Sequence, residues 1–296
     1  MKLTLKIIKI LRAITHLPLR ILIFIGDLYS SFLKIIDKRN HDTYWQEIMQ
    51  KSIDKNISRD IQISNNPNKI IKFHCPTQIS SFRAKTFFTK EPETLKWMDQ
   101  YGSNKKCFYD IGANVGIYSI YYAKKFETDV YAFEPSYRNL NLLSQNIKLN
   151  ELEKKINLIP NPISDKFVIS DFFQLDPTAG EANSTFNDSQ IKHDLINRSE
   201  FSKKKKMINF KTLGLSVDFL IMQKLIRPPN LIKIDVDGNE LDIINGLNET
   251  IKKIDDISIL VETRGNTHQN IEKTLQDLSL KKVNQFRDNS IWQKQV

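Results

Sequence analysis

The sequence predicts an α/β fold, a mostly parallel sheet with helices on both faces, preceded by a helical extension. Three stretches carry that expectation. Residues 106–111 are rich in β-formers and pass through a glycine turn into a helical run at 117–125. Residues 130–135 read Val-Tyr-Ala-Phe-Glu-Pro, an apolar run ending in an acid and followed by a helical run at 139–150. Residues 231–240 repeat the pattern, an apolar run that delivers several acids before a helix at 241–247. Strands alternating with helices imply parallel βαβ units.

The chain has 296 residues, enough for one large α/β domain with an appendage. We divide it into an arm and connector at 1–69 and a main domain at 70–296. The formal net charge is +10, and its location narrows its meaning. Within the first forty residues Lys2, Lys6, Lys9, Arg12, Arg20, Lys34, Lys38 and Arg39 face only Asp27 and Asp37. A second basic run, 203–206, lies in a polar loop, and the rest is close to balanced, which argues against a body-wide nucleic-acid groove. Cys75 and Cys107 have no paired spacing, so neither a disulfide framework nor a zinc site is expected. That usage fits a reducing compartment and a cytoplasmic protein.

Residues 1–36 sort by helical period. At about 100° per residue the five cations from Lys2 to Arg20 share one face, while Leu3, Ile7, Ile10, Leu11, Ile14, Ile21, Ile25, Leu28 and Phe32 share the other. This is a basic amphipathic helix bent or broken at Pro18. Its uncharged run is closed by Arg20 and Asp27, too short to span a bilayer, and no small-residue cleavage site follows it. The apolar face is expected either to contact the inner face of a membrane peripherally or to pack on the main domain. Residues 37–69 read as a polar connector with a short helix at 45–49. A β-like run follows at 70–75, then a helix at 91–101 with Pro92 in its first turn and Gly102 beyond its end.

The glycine turn decides the ligand. A dinucleotide fingerprint needs G-x-G-x-x-G so that pyrophosphate can approach the middle glycine, but here Asn114 and Ile117 stand at two of those positions. What remains, Asp110-x-Gly112-x-Asn114-x-Gly116, suits a nucleoside that carries an amino-acid cation, as S-adenosylmethionine does. An acid about 20 residues beyond the glycines accepts bonds from ribose hydroxyls, and Glu134 falls there. After a third strand at 156–160, the segment Asn161-Pro162-Ile163-Ser164-Asp165 is expected beside the ligand's base, with Ser164 and Asp165 as the candidates for the adenine edge. Short strands at 168–175 and 209–212 flank a long polar insert with Gly180, Glu181, Asn183 and Ser184, to which we assign a substrate-facing or lid role.

Asp235, Asp237 and Glu240 emerge at the C-terminal end of the strand at 231–234, where open α/β sheets bind ligands. They are candidates for a general base or a substrate orienter, and Asp237 alternatively for a helix N-cap. A carboxylate pair could hold a divalent cation, but no third ligand accompanies it and no metal site is expected. A strand at 257–263 brings Glu262 to the same edge as a substrate orienter, with Arg264 next to it. A helix at 269–278 and two β-like pieces at 282–286 and 290–292 complete the chain.

With these residues placed, the chain resembles the FkbM-type family of S-adenosylmethionine-dependent methyltransferases over roughly 70–296. The resemblance rests on Phe108-Tyr109-Asp110-Ile111-Gly112-Ala113-Asn114-Val115-Gly116, on Ala132-Phe133-Glu134-Pro135, and on Ile232-Lys233-Ile234-Asp235-Val236-Asp237-Gly238-Asn239-Glu240 with Val261-Glu262. The last block is the more family-specific, and Asp237 stands where the family more often has Glu. The resemblance implies a Rossmann-like class I methyltransferase fold with a seven-stranded sheet, and methyl transfer to a hydroxyl of a sugar, glycan or small metabolite. It also implies that Asp110, Gly112, Asn114 and Gly116 form the cofactor turn, that Glu134 clamps the ribose, and that Asp235 sits near the sulfonium. Two other readings stay open: an RNA methyltransferase using the basic arm, and a non-catalytic membrane-associated binding protein on the same fold. The sequence leaves the oligomeric state open.

Overall fold

A computed structural model describes residues 17, 20–21, 23–29, 31–32, 57–67, 69–103, 106–175, 178–187, 208–263 and 268–294. The chain divides into two compact units, Met1–Ile57 and Ser58–Val296. The larger unit begins with β1 (Ser58–Gln62), β2 (Ile70–His74), α1 (Gln78–Lys85) and α2 (Pro92–Tyr101). Next come β3 (Phe108–Ile111), α3 (Ile117–Phe126), β4 (Val130–Phe133), α4 (Tyr137–Leu149) and β5 (Ile156–Ile159). After β6 (Val168–Gln174), β7 (Ser184–Phe186) and β8 (Ile208–Gly214) the chain runs through α5 (Val217–Met222), β9 (Leu231–Ile234), α6 (Glu240–Asn245) and α7 (Asn248–Lys253). It ends with β10 (Ser258–Glu262), α8 (His268–Asp277), β11 (Leu280–Phe286) and β12 (Asn289–Lys294).

Seven strands form one sheet in the order β11-β12-β10-β9-β3-β4-β5. The five from β5 to β10 are parallel, and β12 and β11 close one edge antiparallel. The central strands β3, β9 and β10 are buried at every position, as expected when helices cover both faces. From β3 the chain winds one way through β4 and β5, then returns to β9 and winds the other way. The reversal lies between β3 and β9, so a crevice opens at their C-terminal ends, after Ile111 and after Ile234. Two of the three stretches singled out from the sequence, those at 106–111 and 231–240, meet there.

Helix α4 shows how side chains hold the periphery. Asn139, Leu142, Leu143, Asn146 and Ile147 recur at helical spacing and are all buried. The leucines and Ile147 enter the core, while two asparagines serve the edge of β2. Asn146 Oδ1 accepts the His74 N–H at 2.8 Å, and Asn150 Oδ1 accepts the Lys72 N–H at 2.8 Å. Asn150 Nδ2 donates to the Lys72 carbonyl at 2.7 Å, so an amide side chain stands in for a neighbouring strand. The β1–β2 hairpin is docked in this way, and β1 lies within the stretch read as connector.

Two other segments depart from the sequence reading. The strands on either side of the polar insert pair with each other, and residues of the insert add a third, giving the antiparallel order β7-β6-β8. The single helix expected at 241–247 is two short ones, α6 and α7, separated at Gly246. A Cβ there would stand 2.1 Å from the Ser164 carbonyl oxygen, so the glycine admits a close backbone approach. In the smaller unit the described residues between Leu17 and Phe32 are helical, and Ser31 Oγ donates to the Asp27 carbonyl at 2.8 Å. No helix among the described residues is long and apolar enough to cross a membrane. Pro18, the short helix at 45–49, the basic run at 203–206 and Arg264 lie outside the described residues.

Candidate active site

The turn after β3 takes its shape from three left-handed residues, Gly112 at φ 86°, Asn114 at φ 52° and Gly116 at φ 85°. Asparagine tolerates that region better than most residues, which suits position 114. At Gly112 space forbids a side chain as well, because a Cβ would stand 2.0 Å from the Asp235 carbonyl oxygen. The turns after β3 and β9 therefore touch backbone to backbone. Gly112→Ala is expected to cost on the order of 2–4 kcal/mol and to lower Tm by about 5–10 °C. An unchanged melting curve would contradict this contact.

Above the turn lies a cavity of about 300 Å³. Its wall has a largely apolar part, with Phe133, Glu134, Pro135, Asn161, Pro162, Ile163, Phe172 and Phe186, and a charged part, with Arg83, Lys90, Glu91, Tyr118, Lys233, Asp235, Asp237 and Glu262. Glu134 follows β4 and is buried. Its Oε2 accepts the Asn114 N–H at 2.7 Å and its Oε1 the Ser136 N–H at 2.8 Å. Burial pushes its pKa up to about 7 against those bonds and the nearby Asn139 and Arg83. Each carboxylate oxygen has a second acceptor site, which leaves capacity for ligand hydroxyls. Asn114 Nδ2 donates to the Glu181 carbonyl at 2.9 Å, while its buried Oδ1 has no hydrogen-bond partner among the described residues.

The charged part of the wall is organised by Lys233. Position 233 pairs with Asp110 across β9 and β3, so the two side chains share a face of the sheet. Lys233 is 2% exposed, and its Nζ donates to Asp235 Oδ2 at 2.7 Å and lies 5.1 Å from the centre of the Tyr118 ring. Burial opposes the ammonium, but Asp235, Asp110 and Glu91 together hold its pKa above the usual lysine range. Burial likewise opposes charge on Asp235, and Lys233, Lys90 and Arg83 outweigh it, keeping that carboxyl below its ordinary value. Glu91 is also held low, since Lys233 and the hydrogen bond from Tyr118 Oη at 2.6 Å overcome its burial. Asp110 differs. It is fully buried beneath the turn, accepts from Ser119 Oγ at 2.6 Å, and has its pKa raised by burial despite Lys233 and Ser119.

The other sequence candidates separate into those at the cavity and those behind it. Asp237 and Glu262 line it, and Asp237 Oδ2 accepts the Asn183 N–H at 2.8 Å. Helix α6 is capped at Asn239, not at Asp237. Glu240 turns inward, where its Oε1 accepts the Gly238 N–H at 3.0 Å and burial raises its pKa to about 7. Ser164 and Asp165 are outside the cavity wall. Ser164 Oγ donates to Asp165 at 3.1 Å and its carbonyl packs on Gly246, while Asn161, Pro162 and Ile163 take the wall position expected of them. Among the described residues no group of three or more His, Cys, Asp or Glu could hold a metal ion.

Residues 178–187 lie over the cavity and are tied down along their length. Thr77 Oγ1 donates to the Ala179 carbonyl at 2.8 Å, and Arg83 Nε to the Gly180 carbonyl at 2.6 Å. Asn139 accepts the Gly180 N–H at 2.8 Å and donates to the Glu181 carbonyl at 3.2 Å. Asn239 accepts from Thr185 Oγ1 at 2.8 Å and donates to the Phe186 carbonyl. Arg83, Tyr118, Asn139, Lys233 and Asn239 were not singled out from the sequence as site residues. Only Lys233 carried a signal, a lysine inside an otherwise apolar buried strand.

A doubly wound seven-stranded sheet, with a glycine turn and an acid following successive central strands, is the Rossmann-like class I methyltransferase fold. The chain belongs to the methyltransferase FkbM domain family, whose model matches residues 110–282. Among solved structures it is similar to methyltransferase FkbM from Methylobacillus flagellatus KT at 16% identity and TM-score 0.42. That match covers 64% of this chain and 44% of the other, so the chain spans less than half the length of that relative. A precorrin-6y C5,15-methyltransferase from Geobacter metallireducens GS-15 matches at 12% identity and TM-score 0.40, covering 71% of this chain and 89% of its own. A ribosomal protein L11 methylase from Lactobacillus delbrueckii subsp. bulgaricus matches at 14% and 0.39, with coverages of 68% and 77%. No curated protein matches the sequence.

Proposed function

We propose that the protein is an S-adenosylmethionine-dependent O-methyltransferase acting on a hydroxyl of a sugar, glycan or other small metabolite. The observation that carries the reading is that one cavity is lined both by Glu134, bonded to the glycine turn, and by a salt-bridged Asp235. The residues fit the cofactor's chemistry. Asn114 Oδ1 is a buried acceptor without a donor among the described residues, and Gly112 presents bare backbone to the cavity. The carboxylates of the wall outnumber its cations, as a ligand with a sulfonium and an ammonium requires. When bound, the cofactor supplies an electrophilic methyl group.

In this reading Glu134 accepts the ribose hydroxyls, and Asn161 to Ile163 border the base. Asp235 offers Oδ1 to the acceptor hydroxyl, since Oδ2 is held by Lys233. That proton becomes strongly acidic only as the new C–O bond forms, so a carboxylate of low pKa can still take it. Glu262 and Asp237 orient the acceptor from the later strand ends. The loop over the cavity excludes water. Incubation of the full chain with methyl-labelled S-adenosylmethionine and separate glycan, small-metabolite and RNA fractions tests the reading. Base-stable label on oxygen in the first two fractions is expected; label confined to RNA, or none in any fraction, would contradict it.

We also propose that the arm contacts an anionic membrane surface peripherally, on the cytoplasmic side. Ile21, Phe24, Leu28 and Phe32 fall at helical spacing and are each about half exposed. Phe24→Ser with Leu28→Ser in the full chain is expected to reduce flotation with phosphatidylglycerol-containing liposomes at least about fivefold. Undiminished flotation would refute a role for this face.

A further inference from the structure

Three cations line the cavity, and two are already paired. Lys233 holds Asp235 at 2.7 Å, and Lys90 holds Glu91 at 2.9 Å. Arg83, in the last turn of α1, has no carboxylate within ion-pair distance among the described residues. Its hydrogen bond runs from Nε to the Gly180 carbonyl at 2.6 Å, which uses one edge of the guanidinium and leaves both Nη atoms toward other partners. The side chain is half-buried, and its charge is felt at both Glu134 and Asp235. It therefore stands within electrostatic reach of both carboxylates on which the cavity's reading rests. A guanidinium partly withdrawn from water is costly without an anion, and its planar fork matches a carboxylate.

We infer that Arg83 binds a ligand carboxylate with its free Nη edge while its Nε holds the loop at 178–187, so that one side chain secures both. The inference rests on the S-adenosylmethionine reading of the cavity. The carboxylate has two sources, the amino-acid end of the cofactor or an acidic acceptor such as a sugar acid. A lysine at this position would keep the charge but could not engage loop and anion through one rigid fork.

Calorimetric titration of the full chain separates these cases. The probes are S-adenosylhomocysteine, 5′-methylthioadenosine, which lacks the amino-acid end, and glucuronate added at saturating S-adenosylhomocysteine. For a cofactor carboxylate, Arg83→Met lowers affinity for S-adenosylhomocysteine about 10- to 100-fold and leaves 5′-methylthioadenosine within about twofold. For an acidic acceptor, nucleoside affinities hold and glucuronate binding is lost. If neither arm responds in a variant that melts like the wild type, the inference is overturned. Should Arg83→Met fail to fold, Arg83→Lys serves, with a loss of about fivefold or more in one arm expected and none in either overturning the inference. A wild type that binds neither nucleoside would instead remove the methyltransferase reading itself.

Discussion

Asp235→Asn is expected to lower the rate of methyl transfer by about 10²- to 10⁴-fold while changing affinity for S-adenosylhomocysteine by less than about threefold. The reasoning begins with Lys233, whose ammonium is buried with Asp110, Asp235 and Glu91 around it. By taking Asp235 Oδ2 it fixes the carboxylate on the strand end and keeps it ionised, with Oδ1 left for a ligand. Asparagine preserves shape but cannot accept a proton as attack proceeds. S-adenosylhomocysteine has a neutral sulfur, so its affinity does not report the carboxylate's attraction for a sulfonium, and the two effects separate. Initial rates of label transfer and calorimetry on the same preparation check this. Normal turnover in the variant would remove Asp235 from the chemistry.

Glu134→Ala should weaken S-adenosylhomocysteine binding by about 30- to 300-fold, because two charge-assisted bonds to ribose are lost together. It also frees the Asn114 and Ser136 N–H groups that now share the carboxylate, so part of the loss is pre-organisation of the turn. The pH dependence follows from burial. With its pKa raised to about 7, Glu134 holds a proton in the free protein over a range where an exposed glutamate would not. Only the ionised form accepts hydroxyls on both oxygens, so affinity should rise as pH passes from about 6 to 8. Glu134→Gln should flatten that rise. For folding the sign is opposite: the contribution of a raised pKa is fully present below the ordinary value of 4.5 and is lost as pH rises through about 7. Glu240 titrates in the same range, so ligand affinity in the Gln variant is the cleaner readout.

What was legible in the sequence was local. The turn from Asp110 to Gly116 and the acid at Glu134 depend on spacing along adjoining elements, and the fold brings them together as that spacing implies. The Asp235 block was legible for the same reason, although only Asp237 and Asp235 of its acids reach the cavity; Glu240 is drawn back by the N–H groups of its own turn. Of the segment 161–165 read beside the base, Asn161, Pro162 and Ile163 line the cavity, while Ser164 and Asp165 lie behind it, where the Ser164 carbonyl approaches Gly246. Arg83 and Asn139 reach the site from two separate helices and were not legible, since nothing in their own neighbourhoods distinguishes them from surface polar residues. β1 was missed because its sequence, SRDIQ, is mostly exposed and takes its pairing from β2 alone. Lys233 is the instructive case: a lysine inside an otherwise apolar strand was the visible sign of the cation that arranges the charged part of the cavity wall.

The central claim is that the cavity above the Asp110 turn is a site for a nucleoside bearing an amino-acid cation, not a pyrophosphate. Calorimetric titration of the wild-type chain with S-adenosylhomocysteine and with NAD tests it most directly. The account predicts one-to-one binding of S-adenosylhomocysteine, weakened by Glu134→Ala, and no measurable heat with NAD. Binding of NAD in preference, or S-adenosylhomocysteine binding indifferent to Glu134, would contradict it.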